Sequence, residues 1–402
     1  MAHAQRHTGP ARSVEEHTAE VSGLLAPLLA RPAETVPVPD ALGRVVAADV
    51  VSPVDLPLFR NSQMDGFAVD AATVAAVPVT LPIVATIPAG PTRPAPHVPG
   101  TAVRIMTGAA LPDGAEAVVP VEDTEVSGDT VTILRPRTAG EFVRDRGSDV
   151  ASGMLLVPNG TRLEPRHVSV LAAVGLPGVP VRTRPRVAVL TTGAELVDAG
   201  STPAPGQIFD SNGPALAASL RANGADVVSV DRSSDDPDAF RNALHRATSR
   251  AELVITSGGV SMGDFEVVKD VLSGMGGRFG KVAMQPGGPQ GVAVVDGVPV
   301  LTFPGNPVST LVSFELFVRP LLRRAAGLPA IPTETVALDH ALTSIPGKRQ
   351  LLRGRRTTTG VGTVAGPGSH LVAAFAWADV LIDIPADTTA LTAGDRVKVW
   401  PL

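Results

Sequence analysis

This 402-residue sequence predicts a multidomain α/β protein built on a central, doubly wound and mostly parallel sheet. Three observations predict it. Between 183 and 329, short apolar runs alternate with helix-length stretches, the texture of βαβ units whose crossovers need helices of about that length. On either side, from 51 to 145 and from 330 to 402, short β runs are punctuated by proline and glycine, which reads as an inserted β domain and a C-terminal β domain. The length agrees, since a chain of this size exceeds one compact core. The remaining segments, 1–50 plus 146–182, read as one helical linker domain that resumes after the insertion.

In the first fifty residues Ser13 and Glu16 are spaced as a capping box, Val21, Leu24, Leu25 and Leu28 form an apolar series, and Asp40 is placed to begin a second short helix. The runs VPVTLPIVATIPAG, AEAVVPVEDTEV and DTVTILRP then bring in the β texture. Within it Asp65-Gly66 falls between two strand pieces and another strand ends on Thr107-Gly108; on sequence alone hairpin turns are the preferred account of both, ahead of a site. Helix returns from Glu164 to Gly175, with a proline near its start and glycine at its end. Arg144, Arg146 and Asp149 cluster just before it, where the spacing alone favours a solvated charged loop slightly over a ligand contact.

The α/β region follows in order. A strand at Val187–Leu190 ends in TTGAEL, Ser211 caps a helix stopped by Gly224, and a strand at Val227–Val230 ends in DRSSDDP, where Asp235 or Asp236 caps a helix with Pro237 in its first turn. The organising stretch is Leu253 to Glu266: a buried β-branched run that delivers the turn Ser257-Gly258-Gly259, with a helix opening near Asp264. After it come KVAMQPGGPQG, a strand VAVV, and VPVLTFPGNPVS leading into an apolar helix from Val308 to Leu322. In the C-terminal region Lys348, Arg349, Arg353, Arg355 and Arg356 form the densest positive charge, a pattern that suits either a phosphate-bearing ligand or the solubility of an exposed strand.

Composition excludes several function classes. Cysteine is absent, so there is no disulfide and no thiolate chemistry, and without a secretory segment a cytoplasmic location is expected. The apolar stretch from Leu24 to Ala30 is broken by Pro27 and is too short to span a bilayer, so no membrane partner is expected. A net charge of −5, 3% aromatic residues and no tyrosine argue against nucleic-acid partners, although a local pocket can oppose the global sign. No GxGxxG or GxxxxGK[ST] loop is present, which counts against a nucleotide-dependent enzyme of either type.

Several strand ends of the central region carry polar or glycine-rich turns: TTGAEL with Glu195, DRSSDD with Asp235 and Asp236, SGGVSMGDFE with Asp264 and Glu266, and PGNPVS with Gly305, Asn306 and Ser309. In open α/β sheets ligands bind at such ends. Glycine N–H groups and the Ser309 hydroxyl suit phosphate, and carboxylates on adjacent edges suit a hard divalent cation, although each carboxylate alone suits a helix cap. Together they describe a site for an anionic, phosphate-containing ligand with Mg²⁺.

Through NSQMDGFAV, RIMTG, VRDRGSD, TTGAEL, SGGVSMGD, FPGNPVS and PGSH, in that order over essentially the whole chain, the sequence resembles the molybdopterin molybdotransferases, the family of bacterial MoeA and of the gephyrin E domain. The resemblance implies an elongated homodimer of four-part subunits that inserts molybdate into adenylylated molybdopterin and releases AMP. It further implies contact with the adenylyltransferase that supplies the substrate. Catalytic roles fall by the same resemblance on Asp65, Asp149, Glu195 and Asp235, and Mg²⁺ on Asp235, Glu266 and Glu195. Substrate binding falls on Thr107, Arg144, Ser257, Gly258, Gly259, Ser261, Pro304, Gly305, Asn306, Pro307 and Ser309. The central region alone, 183–329, is expected to bind molybdopterin without processing it.

Two positions depart from the family pattern. A KPGKP-type loop is common there, but here it reads Gln285-Pro286-Gly287-Gly288-Pro289, without either lysine; the acidic position after SGG, often aspartate, is Glu266. The lost cations keep a second reading open, a divergent paralogue that binds molybdopterin without efficient metal insertion. Lys281, on the strand before the loop, is a candidate substitute, and Gly288 is expected to need a positive φ.

Overall fold

The computed structural model describes residues 11–91, 93–260 and 266–402. The chain forms two compact units, one of Met1–Glu34 with Arg182–Leu402 and one of Thr35–Val181. Among the described residues no helix is long and apolar enough to cross a membrane.

The first unit opens with the capped helix Val14–Leu25 (α1), in which Ser13 and Glu16 exchange side-chain-to-backbone bonds as their spacing predicts. The chain returns to this unit as Arg186–Thr192 (β1), the short ribbon Leu196–Val197 (β2) and Ile208–Phe209 (β3), and helix Asn212–Ala222 (α2). Then follow Asp226–Ser233 (β4), Pro237–Thr248 (α3), Leu253–Ser257 (β5) and Val267–Gly274 (α4). Arg278–Lys281 (β6), Met284–Gln285 (β7), Pro289–Val295 (β8) and Val298–Phe303 (β9) lead into Pro307–Ser313 (α5), a π-helical turn at Phe314–Val318, and Arg319–Ala325 (α6).

The central sheet has the order β4-β1-β5-β9-β8-β6. The pairings from β4 to β9 are parallel and the last two antiparallel, so the sheet is mostly parallel as expected. Strand alternation divides its side chains between two layers. Val187, Val189, Leu253 and Ile255 face a core shared with Leu216, Leu220 and Phe317, whereas Ala188, Leu190 and Val254 face Phe240, Leu244 and Val268. After β1 the chain runs to β4 on one side and then returns to β5 on the other. That reversal places a topological switch point, the usual ligand crevice of such sheets, between the ends of β1 and β5.

A second sheet of this unit is built by Glu334–Ala337 (β10), Arg349–Arg356 (β11), Val380–Ile384 (β12) and Arg396–Pro401 (β13). Its order is β7-β11-β12-β13-β10, so β7, from the α/β part of the chain, is its edge strand, with Gln285 opposite Gln350.

In the second unit a six-stranded sheet contains Gly66–Val69 between Ala102–Ile105 and Ala117–Pro120. Residues from Val38 to Val50 share one core with Val157, Leu163, Leu171, Val179 and Val181. Two expectations are corrected. Residues 11–34 do not join the linker, because Val14, Val21, Leu25 and Leu28 bury themselves in the core of the α/β sheet. The second short helix expected at Asp40 is only the last residue of a 3₁₀ turn, Val38–Asp40, with Pro39 inside it.

Candidate active site

The ends of β1, β5 and β9 open on a cavity of about 980 Å³ built wholly from the first unit. Glu195, Asp235, Ser257, Gly258, Gly259, Glu266, Pro304, Gly305, Asn306, Pro307 and Ser309 all line it, so strand ends far apart in sequence converge here. Ser261 and Asp264 lie outside the described residues.

Each loop is shaped by local chemistry. Asp236 is the cap of α3, accepting from the Ala239 N–H at 2.7 Å, which leaves Asp235 to accept from the Ala194 N–H of the TTG turn at 2.9 Å. Asp235 thereby ties the β4 end to the β1 end while it lines the cavity. Ser211, expected to cap α2, makes no capping bond; the Asp210 carboxylate takes that place, accepting from the Gly213 N–H at 3.0 Å and from the Thr191 hydroxyl at 2.7 Å. Gly258 sits at φ 101, and a Cβ there would lie 2.5 Å from the Thr192 carbonyl oxygen, so this turn admits only glycine. Thr192, buried and lining the cavity, has a hydroxyl without a partner among the described residues.

The PGNP turn presents few donors. Pro304 and Pro307 have no N–H, and the Val308 N–H is taken by the Ser369 carbonyl at 3.2 Å. The N–H groups of Gly305 and Asn306 have no acceptor among the described residues. Ser257, assigned by resemblance to the ligand, is instead 1% exposed, and its hydroxyl is committed to Asn212, Thr310 and the Pro304 carbonyl.

The opposite wall comes from the second sheet and β6: Lys281, Gln285–Pro289, Lys348, Ser369 and His370. Of the basic run only Lys348 reaches the cavity. Arg349 is bound bidentately by Asp383, at 2.8 and 2.7 Å, and Arg356 pairs with Glu334. Arg353 is buried, its guanidinium donating to the carbonyls of Gly366 and Gly368. The structure also moves the glycine constraint. Gly287 carries φ 99, whereas Gly288 has no positive φ and a Cβ there would meet only carbonyl oxygens at 3.6 and 3.7 Å.

Asp65, Thr107, Arg144 and Asp149 lie in the second unit. Asp65 accepts from the Thr107 N–H at 2.7 Å and from its hydroxyl at 2.8 Å, and these bonds hold its carboxyl below the usual carboxylate range. The hairpin alternative fails here, because Asn61–Ser62 pairs with Val143–Arg144 rather than with Gly66–Val69. Arg144 reaches Asn61 Oδ1 at 3.4 Å, and Asp149 is exposed.

Among the described residues no three His, Asp or Glu side chains converge into a ready-made metal site. Glu195, Asp235 and Glu266 are cavity residues, and one or two of them fit Mg²⁺ bound in its usual manner, shared with substrate phosphates. Residues that the sequence reading left without a role are Asn212, Thr192, Ser369 and His370. The polar triplet Asp210-Ser211-Asn212 ahead of a helix was the available signal for the first of them.

Comparison with known proteins places these features. Residues 12–175 match the MoeA N-terminal region (domain I and II), 188–324 a probable molybdopterin binding domain, and 335–402 the MoeA C-terminal region (domain IV). Molybdopterin molybdenumtransferase 2 of Mycobacterium tuberculosis (strain ATCC 25618 / H37Rv) is 45% identical over 407 residues, covering 97% of this chain and 100% of the relative. Molybdopterin molybdenumtransferase of Staphylococcus aureus (strain MW2) is 32% identical over 92% of this chain and 91% of its own length. The crystal structure of the molybdopterin biosynthesis MoeA protein from Pyrococcus horikosii superposes with a TM-score of 0.77 at 32% identity, covering 98% of this chain and 99% of that one. Matched in all three regions and by relatives over their whole length, the chain belongs to the MoeA family.

Proposed function

We propose that this chain is a molybdopterin molybdenumtransferase that inserts molybdate into adenylylated molybdopterin and releases AMP. The observation that carries the reading is one cavity in which the N–H groups of Gly259, Gly305 and Asn306, the Gly258 N–H being taken by the Phe303 carbonyl at 3.1 Å, share the space with the carboxylates Glu195 and Asp235 and the cations Lys281 and Lys348. Backbone N–H groups hold the phosphates in place. Mg²⁺, when bound, offsets charge on the pyrophosphate. Glu195 and Asp235 are the residues that would hold it, Lys281 and Lys348 attract the oxyanion, and Asp235 keeps the TTG turn in register through Ala194. A homodimer belongs to the same reading, on family membership.

The QPGGP loop favours a second reading, binding without efficient insertion, because it brings no charge to the oxyanion. Incubation with adenylylated molybdopterin, molybdate and Mg²⁺, following AMP release together with metal incorporation, separates the two. Insertion is expected. Bound pterin without incorporation would establish the second reading, and a chain that neither binds the pterin nor incorporates metal would refute both. In the same assay Glu195→Gln should cut turnover by about a hundredfold or more with an unchanged melting temperature, since it removes charge and keeps shape. Normal turnover would remove Glu195 from the chemistry.

A further inference from the structure

Asn212 touches both turns that form the anion cradle. Its side-chain amide donates to the Gly305 carbonyl at 2.7 Å and to the Ser257 hydroxyl at 3.0 Å. A carbonyl oxygen can only accept, so the amide nitrogen must face Gly305 and the assignment of the side chain is unambiguous. Three loops that share no local sequence are thus pinned at one point: the start of α2, the end of β5, and the turn between β9 and α5.

The consequence lies in the peptide planes. The bond between Gly305 and Asn306 is trans, so a carbonyl aimed at Asn212 turns the Asn306 N–H to the opposite side. One residue earlier the Pro304 carbonyl is held by the buried hydroxyls of Thr310, at 2.6 Å, and Ser257, at 3.3 Å, which turns the Gly305 N–H away from the core. These are the two donors of the turn that have no acceptor among the described residues, and both residues line the cavity. The turns are also in close contact, since a Cβ on Gly305 would lie 3.4 Å from Gly258 Cα.

We infer that Asn212 is a positioning residue, which orients the Gly305–Asn306 peptide so that its N–H binds a phosphate of the substrate. The inference rests on the proposed phosphate-bearing substrate and goes beyond it in assigning what holds the cradle open. Asn212 touches no reacting atom. Its loss weakens binding and leaves the chemical step intact.

The test uses the full chain with Asn212→Ala and Asn212→Asp, the latter keeping size but replacing the donor by a carboxylate that repels the Gly305 carbonyl. Phosphorus NMR titration with inorganic phosphate is run beside AMP release at varied substrate concentration. Asn212→Ala should raise the half-saturating substrate concentration and the phosphate dissociation constant each about tenfold, the effect of losing one oriented hydrogen bond, while kcat stays within about threefold. Asn212→Asp should be weaker still, with a steeper loss for phosphate. Folded variants that bind phosphate and substrate as the parent does would overturn the assignment, as would a fall in kcat at unchanged half-saturation. Should Asn212→Ala not fold, Asn212→Asp carries the same comparison. A parent that binds phosphate but releases no AMP would defeat the proposed reaction and leave the phosphate comparison decisive for Asn212.

Discussion

Gln285 stands where the family commonly has a lysine, and the sequence suggests that restoring a lysine here is the simplest way to strengthen the oxyanion wall. The structure reverses that choice. Gln285 Oε1 accepts from Gln350 Nε2 at 2.7 Å, and Gln350 is 2% exposed. Gln285→Lys would leave that buried amide without its acceptor, at a cost of about 1 to 3 kcal/mol. The melting temperature should therefore fall along with any change in molybdate dependence. Gly288 is the open position, because the positive φ belongs to Gly287 and a Cβ at Gly288 makes only ordinary contacts. Gly288→Lys should lower the molybdate concentration for half-maximal insertion about tenfold without loss of stability, and the gain should shrink with added salt. An unchanged molybdate dependence would place the oxyanion away from this loop. Sequence alone cannot separate the two glycines, since which of them turns the chain depends on the path between β7 and β8.

At the scale of elements, β5 and its turn are where sequence reading and structure agree most closely. Leu253–Ser257 is fully buried between two parallel neighbours, as its β-branched run predicts, and Gly258 and Gly259 both have positive φ. The turn tolerates no Cβ at Gly258. Gly258→Ala should therefore lower the melting temperature and cut AMP release at least about tenfold, because the Thr192 carbonyl must move and the turn with it. Gly305→Ala, whose Cβ would be 3.4 Å from Gly258 Cα, should be milder in stability. Equal melting temperatures for Gly258→Ala and the parent would show that the turn relaxes freely. Helix caps were less legible. The pair Asp235-Asp236 offered two caps for α3, and only the bond from Ala239 to Asp236 shows which residue is left for the cavity.

For the whole molecule, the packing of the α/β core argues against a stable fragment of 183–329. The α/β core includes Val14, Val21, Leu25 and Leu28 from the first helix and Leu351 and Leu381 from the second sheet, while Lys348, Ser369 and His370 complete the cavity wall. A fragment of 183–329 should aggregate or melt well below the full chain and bind no ligand, as thermal unfolding and phosphate titration would show. A soluble fragment that binds like the parent would contradict this. The amino-acid sequence by itself determined the strand-and-helix alternation, the glycine turns and their placement at strand ends, because apolar period and glycine conformation are local properties. It also determined family membership through ordered motifs. Only the tertiary structure decided that α1 belongs to the sheet, that β7 pairs with β11 and so brings Gln285 to Gln350 and Lys348 to the cavity, and that Asn212 joins two turns. Those are pairings between residues 45 to 93 positions apart, or further, and no local pattern in a single chain encodes which distant partner a buried edge or amide will find.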